Sequence, residues 1–99
     1  MEKEYRIVGK HGKLSFDRPA EDPHWLPMRF LEYEKDPQGN VCGGRYLIDL
    51  GHGYGFNHGE ETVTIALDEE ISFEHEYTDT SDGTWENESC SVTVRFVAK

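Results

Sequence analysis

Two segments near the C-terminus, residues 71–77 and 90–98, constrain the fold of this chain more than any other part of it. In both segments every second position is apolar, aromatic, histidine or cysteine, and most positions between are polar. A period of two is typical of a strand with one buried face. Between the segments lies Ser81-Asp82-Gly83-Thr84, in which Asp-Gly favours a two-residue type I′ turn. The chain is therefore predicted to form a β-hairpin whose apolar face closes the core.

A two-residue turn at Asp82 and Gly83 also fixes how the two strands pair. The register gives four informative cross-strand pairs: Val94 with Ile71, Val92 with Phe73, Cys90 with His75, and Glu86 with Asp79. Apolar residues meet apolar ones, whereas a slip of one residue would put the two faces out of phase. Like charges meet only at the last pair, next to the turn, where they oppose pairing.

The rest of the chain predicts further short strands. Five segments carry apolar or β-branched residues between turn-rich connections: residues 5–8, 13–16, 28–33, 45–50 and 62–67. A short helix is left open for residues 28–33. About seven short strands at this spacing predict one all-β domain over residues 1–99, an antiparallel β-sandwich or a small open barrel.

The distribution of charge restricts the partners of this chain. The net charge is −10, and residues 46–94 contain twelve acids and no lysine or arginine. Such a field repels nucleic acid and anionic membrane and attracts basic protein surfaces or cations. We therefore predict a basic protein partner, with no nucleic acid and no membrane. The alternative is that the acidity serves only solubility.

The sequence also indicates a compartment. It has neither a signal-peptide core near its N-terminus nor a run approaching the ~20 apolar residues of a membrane helix. We expect a cytoplasmic protein in which Cys42 and Cys90 are reduced thiols. An exposed strand edge would allow a homodimer.

The acidic hairpin is the first candidate binding surface. Its predicted partner-binding residues are Glu74, Glu76, Asp79, Asp82, Trp85, Glu86 and Glu88. The carboxylates would pair with lysine and arginine of a nuclease or another nucleic-acid-binding protein, and Trp85 would anchor the contact. In size, charge and fold class the chain is similar to bacterial immunity proteins and phage-encoded inhibitors, although no motif carries the similarity. The hypothesis is a small, non-enzymatic inhibitor or immunity-type protein.

A glycine-rich segment, residues 51–59, is the second candidate. It holds four of the ten glycines of the chain, together with two aromatic residues and two histidines. One interpretation is a binding loop that presents Tyr54 and Phe56. The other is a twisted, bulged strand edge with these aromatic rings packed inward. A zinc site would need further ligands at a recognisable spacing, which the segment lacks.

Metal binding and catalysis are weaker hypotheses. Calcium favours oxygen-rich loops such as the hairpin tip, but residues 78–89 do not match the EF-hand pattern. A ligand- or divalent-metal-binding module that uses the loop of residues 51–59 or the hairpin tip stays the alternative function, and no metal or cofactor is predicted. Cys90 beside His75 resembles a thiolate–imidazole pair, but both lie on the apolar face, where a thiol is generally inert. The sequence therefore predicts a protein that is not an enzyme.

Overall fold

The computed structural model describes residues 4–81 and 83–99. These residues form nine strands: β1 (Tyr5–His11), β2 (Leu14–Pro19), β3 (Met28–Lys35), β4 (Val41–Asp49), β5 (Gly51–Gly53), β6 (Phe56–Asn57), β7 (Glu60–Ala66), β8 (Glu70–Asp79) and β9 (Glu86–Ala98). The predicted all-β fold is confirmed, and residues 28–33 form a strand, not a helix. The seven predicted strands are all present, and β5 and β6 are additional. The described residues contain no helix long and apolar enough to cross a membrane.

The strands form two sheets that pack as a small β-sandwich. One sheet has the order β2-β1-β9-β8-β5-β6 and the other the order β3-β4-β7. Both sheets contribute to the buried core, whose fully buried side chains are Ile7, Tyr46, Ile65, Val92, Val94 and Phe96. The described ladders between strands are antiparallel apart from that of β5 with β8, which is parallel, and a single parallel bridge joins Leu67 to Phe96. Since β4 and β5 belong to different sheets, the chain crosses the sandwich between them.

The β8–β9 hairpin has the predicted register. Val94 lies opposite Ile71 and the ladder continues without a shift to Glu86 opposite Asp79. The expectation of a two-residue turn is wrong, because β8 ends at Asp79 and β9 begins at Glu86, so six residues connect the strands. In this connection, Gly83 N–H donates to Thr80 O at 3.2 Å. Its Gly83 has a φ of 82°, in the left-handed region that favours glycine. Asp82, predicted both for the turn and for the binding surface, lies outside the described residues.

The outer half of this hairpin extends beyond the core. β1 pairs with β9 only from Val92 onwards, and residues 86–89 are exposed. Ile71 and Phe73 pack against the core as predicted. Farther out the expectation of a core-closing face is wrong, because His75 and Tyr77 line an open groove. The molecule is correspondingly elongated, with extents of 52 × 23 × 17 Å.

Candidate functional site

The glycine-rich segment docks directly onto the acidic hairpin. β5 pairs with β8 through Gly51 opposite Glu76 and His52 opposite Tyr77, and Glu76 N–H donates to Leu50 O at 3.2 Å. A Cβ on Gly51 would lie only 2.0 Å from Glu76 O, and the φ of Gly51 is 117°. A side chain is therefore excluded at this position twice over, by space and by backbone conformation. Glycine here allows the two strands to approach.

In the turn between β5 and β6, Tyr54 reaches the tip of the β8–β9 hairpin. Its N–H donates to Thr78 Oγ1 at 2.9 Å, and the Thr78 hydroxyl donates to Asn87 Oδ1 at 2.9 Å. The Tyr54 ring stacks on Trp85 with centroids 4.2 Å apart and planes at 15°. Both side chains stay largely exposed, at 62% and 66%. We call this pair, Tyr54 and Trp85, the aromatic platform.

Phe56, the other aromatic residue predicted for the loop, does not join the platform. It is half-buried, it pairs with Gly53 across the short β5–β6 ladder, and its ring centroid lies 5.0 Å from that of His58. His58 Nε2 in turn lies 2.6 Å from Glu76 Oε2. Phe56 thus packs at a strand edge, as one interpretation expects, while Tyr54 is exposed; a role of this segment in binding stays a prediction.

The predicted acidic residues lie on both faces of the hairpin. Glu74 and Glu76 share one face because side chains alternate along a strand. On this face Glu74 accepts a hydrogen bond from the Ser91 hydroxyl, and Glu76 contacts His58 as above.

Asp79, Glu86 and Glu88 lie on the opposite face, towards the tip. Tyr77 OH donates to Glu88 Oε2 at 3.2 Å. Ser81 N–H donates to Asp79 Oδ1 at 2.9 Å, and hydrogen bonds from Ser81 lower the pKa of the Asp79 carboxyl. Asp79 therefore stays ionised beside Glu86, and the tip keeps its negative charge.

In the described part of the chain, the basic side chain that contacts an acid between residues 74 and 88 is that of His58, beside Glu76. Four of the five arginines form ion pairs elsewhere, for example Arg6 with Asp17 and Arg95 with Glu70. Within the described residues, no lysine or arginine forms an ion pair with an acid between residues 74 and 88. The hairpin therefore presents uncompensated negative charge around the aromatic platform.

Two adjoining grooves run along the hairpin beside β5. The outer one, about 470 Å³, is lined by His52, Gly53, Tyr54, Gly55, Tyr77, Thr78 and Thr80. The inner one, about 390 Å³, is lined by His11, Trp25, Pro27, Asp49, His52, His75 and Tyr77. Because they share His52 and Tyr77, they adjoin to form one surface that leads from the sandwich to the tip.

The inner groove brings histidines together in a way the sequence did not reveal. His75 Nδ1 lies 2.9 Å from Asp49 O, and since a carbonyl only accepts, Nδ1 carries the proton. His11 Nδ1 lies 3.8 Å from Cys90 Sγ, next to the predicted Cys90–His75 pair. Burial, and secondarily the charge of His75, lowers the pKa of His11. Among the described residues, no three His, Cys, Asp or Glu side chains are grouped to hold a metal ion.

No family model, curated protein or solved structure matches this chain. The hairpin, the aromatic platform and the grooves beside them are therefore the features of this molecule that indicate a function.

Proposed function

We propose that this chain is a small, acidic, non-enzymatic inhibitor or immunity-type protein that occludes a basic protein partner, such as a nuclease or another nucleic-acid-binding protein. The acidic C-terminal hairpin would make the contact. One observation carries the proposal: the hairpin extends beyond the core and combines, within the described residues, three acids without a lysine or arginine partner, Asp79, Glu86 and Glu88, with an exposed aromatic platform.

The platform has the properties of an interface anchor. Tryptophan and tyrosine are enriched among residues that dominate binding energy, and arginine stacks on aromatic faces. Tyr54 is held by its backbone bond to Thr78 and by the stack itself. Because the pair is ordered before binding, little side-chain entropy remains to be lost on association.

The charge would act mainly on the rate of encounter. Acids on both faces of a projecting hairpin attract a positively charged surface over roughly the 10 Å Debye length of moderate salt. Electrostatic steering of this kind raises association rates at low ionic strength and fades as salt is added. A basic partner should therefore associate quickly at low salt and slowly at high salt.

The experiment compares two charge-neutralised variants of equal size. One carries Asp79→Asn, Glu86→Gln and Glu88→Gln on the hairpin, and the control carries Glu60→Gln, Glu61→Gln and Asp68→Asn on exposed positions outside it. Association with a panel of basic nucleases is measured over a series of ionic strengths. The hairpin variant should associate about tenfold more slowly at low salt, and the control much less so. Equal effects of the two variants, or rates independent of salt, would contradict the proposal.

A ligand-binding β-module is the second candidate, favoured by the adjoining grooves. Volumes of about 470 and 390 Å³ fall in the usual range for small-molecule sites. The metal version is tested by thermal melts with calcium, zinc and EDTA, because an ion that binds only the native state raises the melting temperature. A melting temperature unaffected by all three would exclude that version, and a small-molecule library in the same assay tests the other.

A further inference from the structure

Along β9 the backbone N–H and C=O groups point alternately to one neighbouring strand and to the other. Two hydrogen bonds show which residues face which neighbour. Gly12 N–H donates to Ser91 O at 2.8 Å, so the backbone groups of the odd-numbered residues of β9 point towards β1. Phe96 N–H donates to Glu69 O at 3.3 Å, so the backbone groups of the even-numbered residues point towards β8. In an antiparallel ladder the N–H and C=O of one residue point to the same side. Each residue of β9 therefore offers both backbone groups to one neighbour.

Beyond its contact with β1, β9 has an open edge. β1 ends at His11, opposite Val92, and no strand in the described part of the chain lies beside the outer edge of residues 86–90. The outward backbone groups there belong to Asn87 and Ser89, which are exposed. An unpaired edge of this kind is a template for another extended chain.

We propose that the basic partner binds by adding an extended segment to this open edge of β9, in the place that β1 leaves beyond His11. The inference rests on the proposed function and specifies how the hairpin would recognise its partner. Main-chain hydrogen bonds to Asn87 and Ser89 provide the attachment, as in other cases of strand addition. The side chains beside them then decide which sequences fit.

The charge along the edge of β9 indicates which kind of segment would bind there. Glu86 and Glu88 lie on one face. For a segment added antiparallel to β9, as β1 is, they occupy the non-hydrogen-bonded positions, where opposing Cα atoms come within about 4.5 Å. A segment with lysine or arginine at every second position places its bases opposite both carboxylates, and opposite charges in such pairs are stabilising. A second copy of this chain would instead place further glutamates there, so the charge favours a basic segment.

The first experiment uses two synthetic peptides of identical composition. One alternates threonine and lysine over seven residues, and the other groups the same lysines in one block. Strand addition requires the alternating peptide to bind about tenfold more tightly and to shift the amide resonances of Asn87 and Ser89. Equal binding of the two peptides would overturn the edge inference and leave the proposed function standing. Absence of binding by both at low salt would count against both.

The second experiment removes a single outward N–H group. Ser89→Pro deletes that donor without breaking the β8 ladder, because proline is tolerated on an edge strand whose N–H faces solvent. The control Ser89→Ala keeps the backbone donor. The alternating peptide should bind about tenfold more weakly to Ser89→Pro and unchanged to Ser89→Ala, and equal affinities would contradict the inference.

Hydrogen exchange on the unmodified protein covers the case in which the proline variant does not fold. The amides of Asn87 and Ser89 should exchange rapidly in the free protein and slowly with the alternating peptide. Unchanged exchange in the presence of saturating peptide would overturn the inference. Concentration-dependent protection without peptide, accompanied by a dimer in sedimentation, would overturn it in favour of a second copy.

Discussion

Tyr54, at the tip of the glycine-rich segment, stacks on Trp85, at the tip of the acidic hairpin, with ring centroids 4.2 Å apart. Neither residue belongs to the buried core. The stack and the Tyr54–Thr78 hydrogen bond together fix the end of one segment on the other. The contact therefore links the two elements that the proposed function uses, independently of the packing between the sheets.

The energy of this stack can be measured by a double-mutant cycle. We expect Tyr54→Ala and Trp85→Ala to couple by about 0.5–1.5 kcal/mol, the usual contribution of an aromatic pair, in urea unfolding at equilibrium. A control cycle of Tyr54→Ala with Leu31→Ala, an exposed residue on β3, should be additive because the residues share no contact. Additivity in both cycles would show that the rings do not interact in solution.

The hairpin register was predictable from the sequence, whereas the docking of the glycine-rich segment was not. In the hairpin, the alternation of apolar residues such as Ile71 and Val94 excludes a slip of one residue, which would expose them, and the observed pairing is the predicted one. The β5–β8 contact involves two residue pairs and has no hydrophobic pattern. It depends on Gly51 lacking a side chain, and glycine alone does not indicate which strand comes close.

The histidine contacts of the inner groove illustrate the same limit. The register alone placed Cys90 opposite His75, and the structure confirms this pair. His11 reaches the same sulfur from β1, at the opposite end of the chain. Long-range neighbours of this kind follow from sheet order, which local periodicity does not encode.

Gly51 and Gly55 offer a matched test of the docking. Both have positive φ, but a Cβ at Gly55 would meet nothing within 4 Å, whereas one at Gly51 would collide with Glu76 O. We expect Gly55→Ala to lower the free energy of unfolding by about 1 kcal/mol from backbone strain alone. Gly51→Ala should cost about 3 kcal/mol or more and abolish the Tyr54–Trp85 coupling. Equal losses would mean that the close approach of β5 to β8 is not maintained in solution.

Tyr46 makes the main polar contact within the core. Its buried OH donates to Ala20 O at 2.6 Å, and burial raises the pKa of Tyr46 well above its usual range. Tyr46→Phe leaves the Ala20 carbonyl without its donor, so the free energy of unfolding should fall by about 1–3 kcal/mol.

The matched control is Tyr77→Phe, which removes a hydroxyl bonded to the exposed Glu88. Water replaces that partner, so we expect a loss below about 0.5 kcal/mol. Both variants are compared by urea denaturation at neutral pH. A cost for Tyr77→Phe as large as that for Tyr46→Phe would contradict the assignment of Tyr46 to the core.

His11 should make stability depend on pH in a definite direction. Burial and the charge of His75 lower the pKa of His11 in the folded state, so the unfolded chain binds the proton more readily. The free energy of unfolding therefore falls as the pH drops below the unfolded value of about 6.5. The groups facing His11 are His75 from β8, Cys90 from β9 and the ring of Trp25.

The measurement is urea unfolding of His11→Gln and the unmodified protein at several pH values between about 5 and 8. The variant should lose less stability than the unmodified protein as the pH falls, because it has no proton to take up at this position. His24→Gln, at an exposed histidine, serves as the control and should keep the original slope. Identical slopes for all three proteins would mean that His11 is as accessible to protons in the folded state as in the unfolded chain, and that the inner groove does not enclose it.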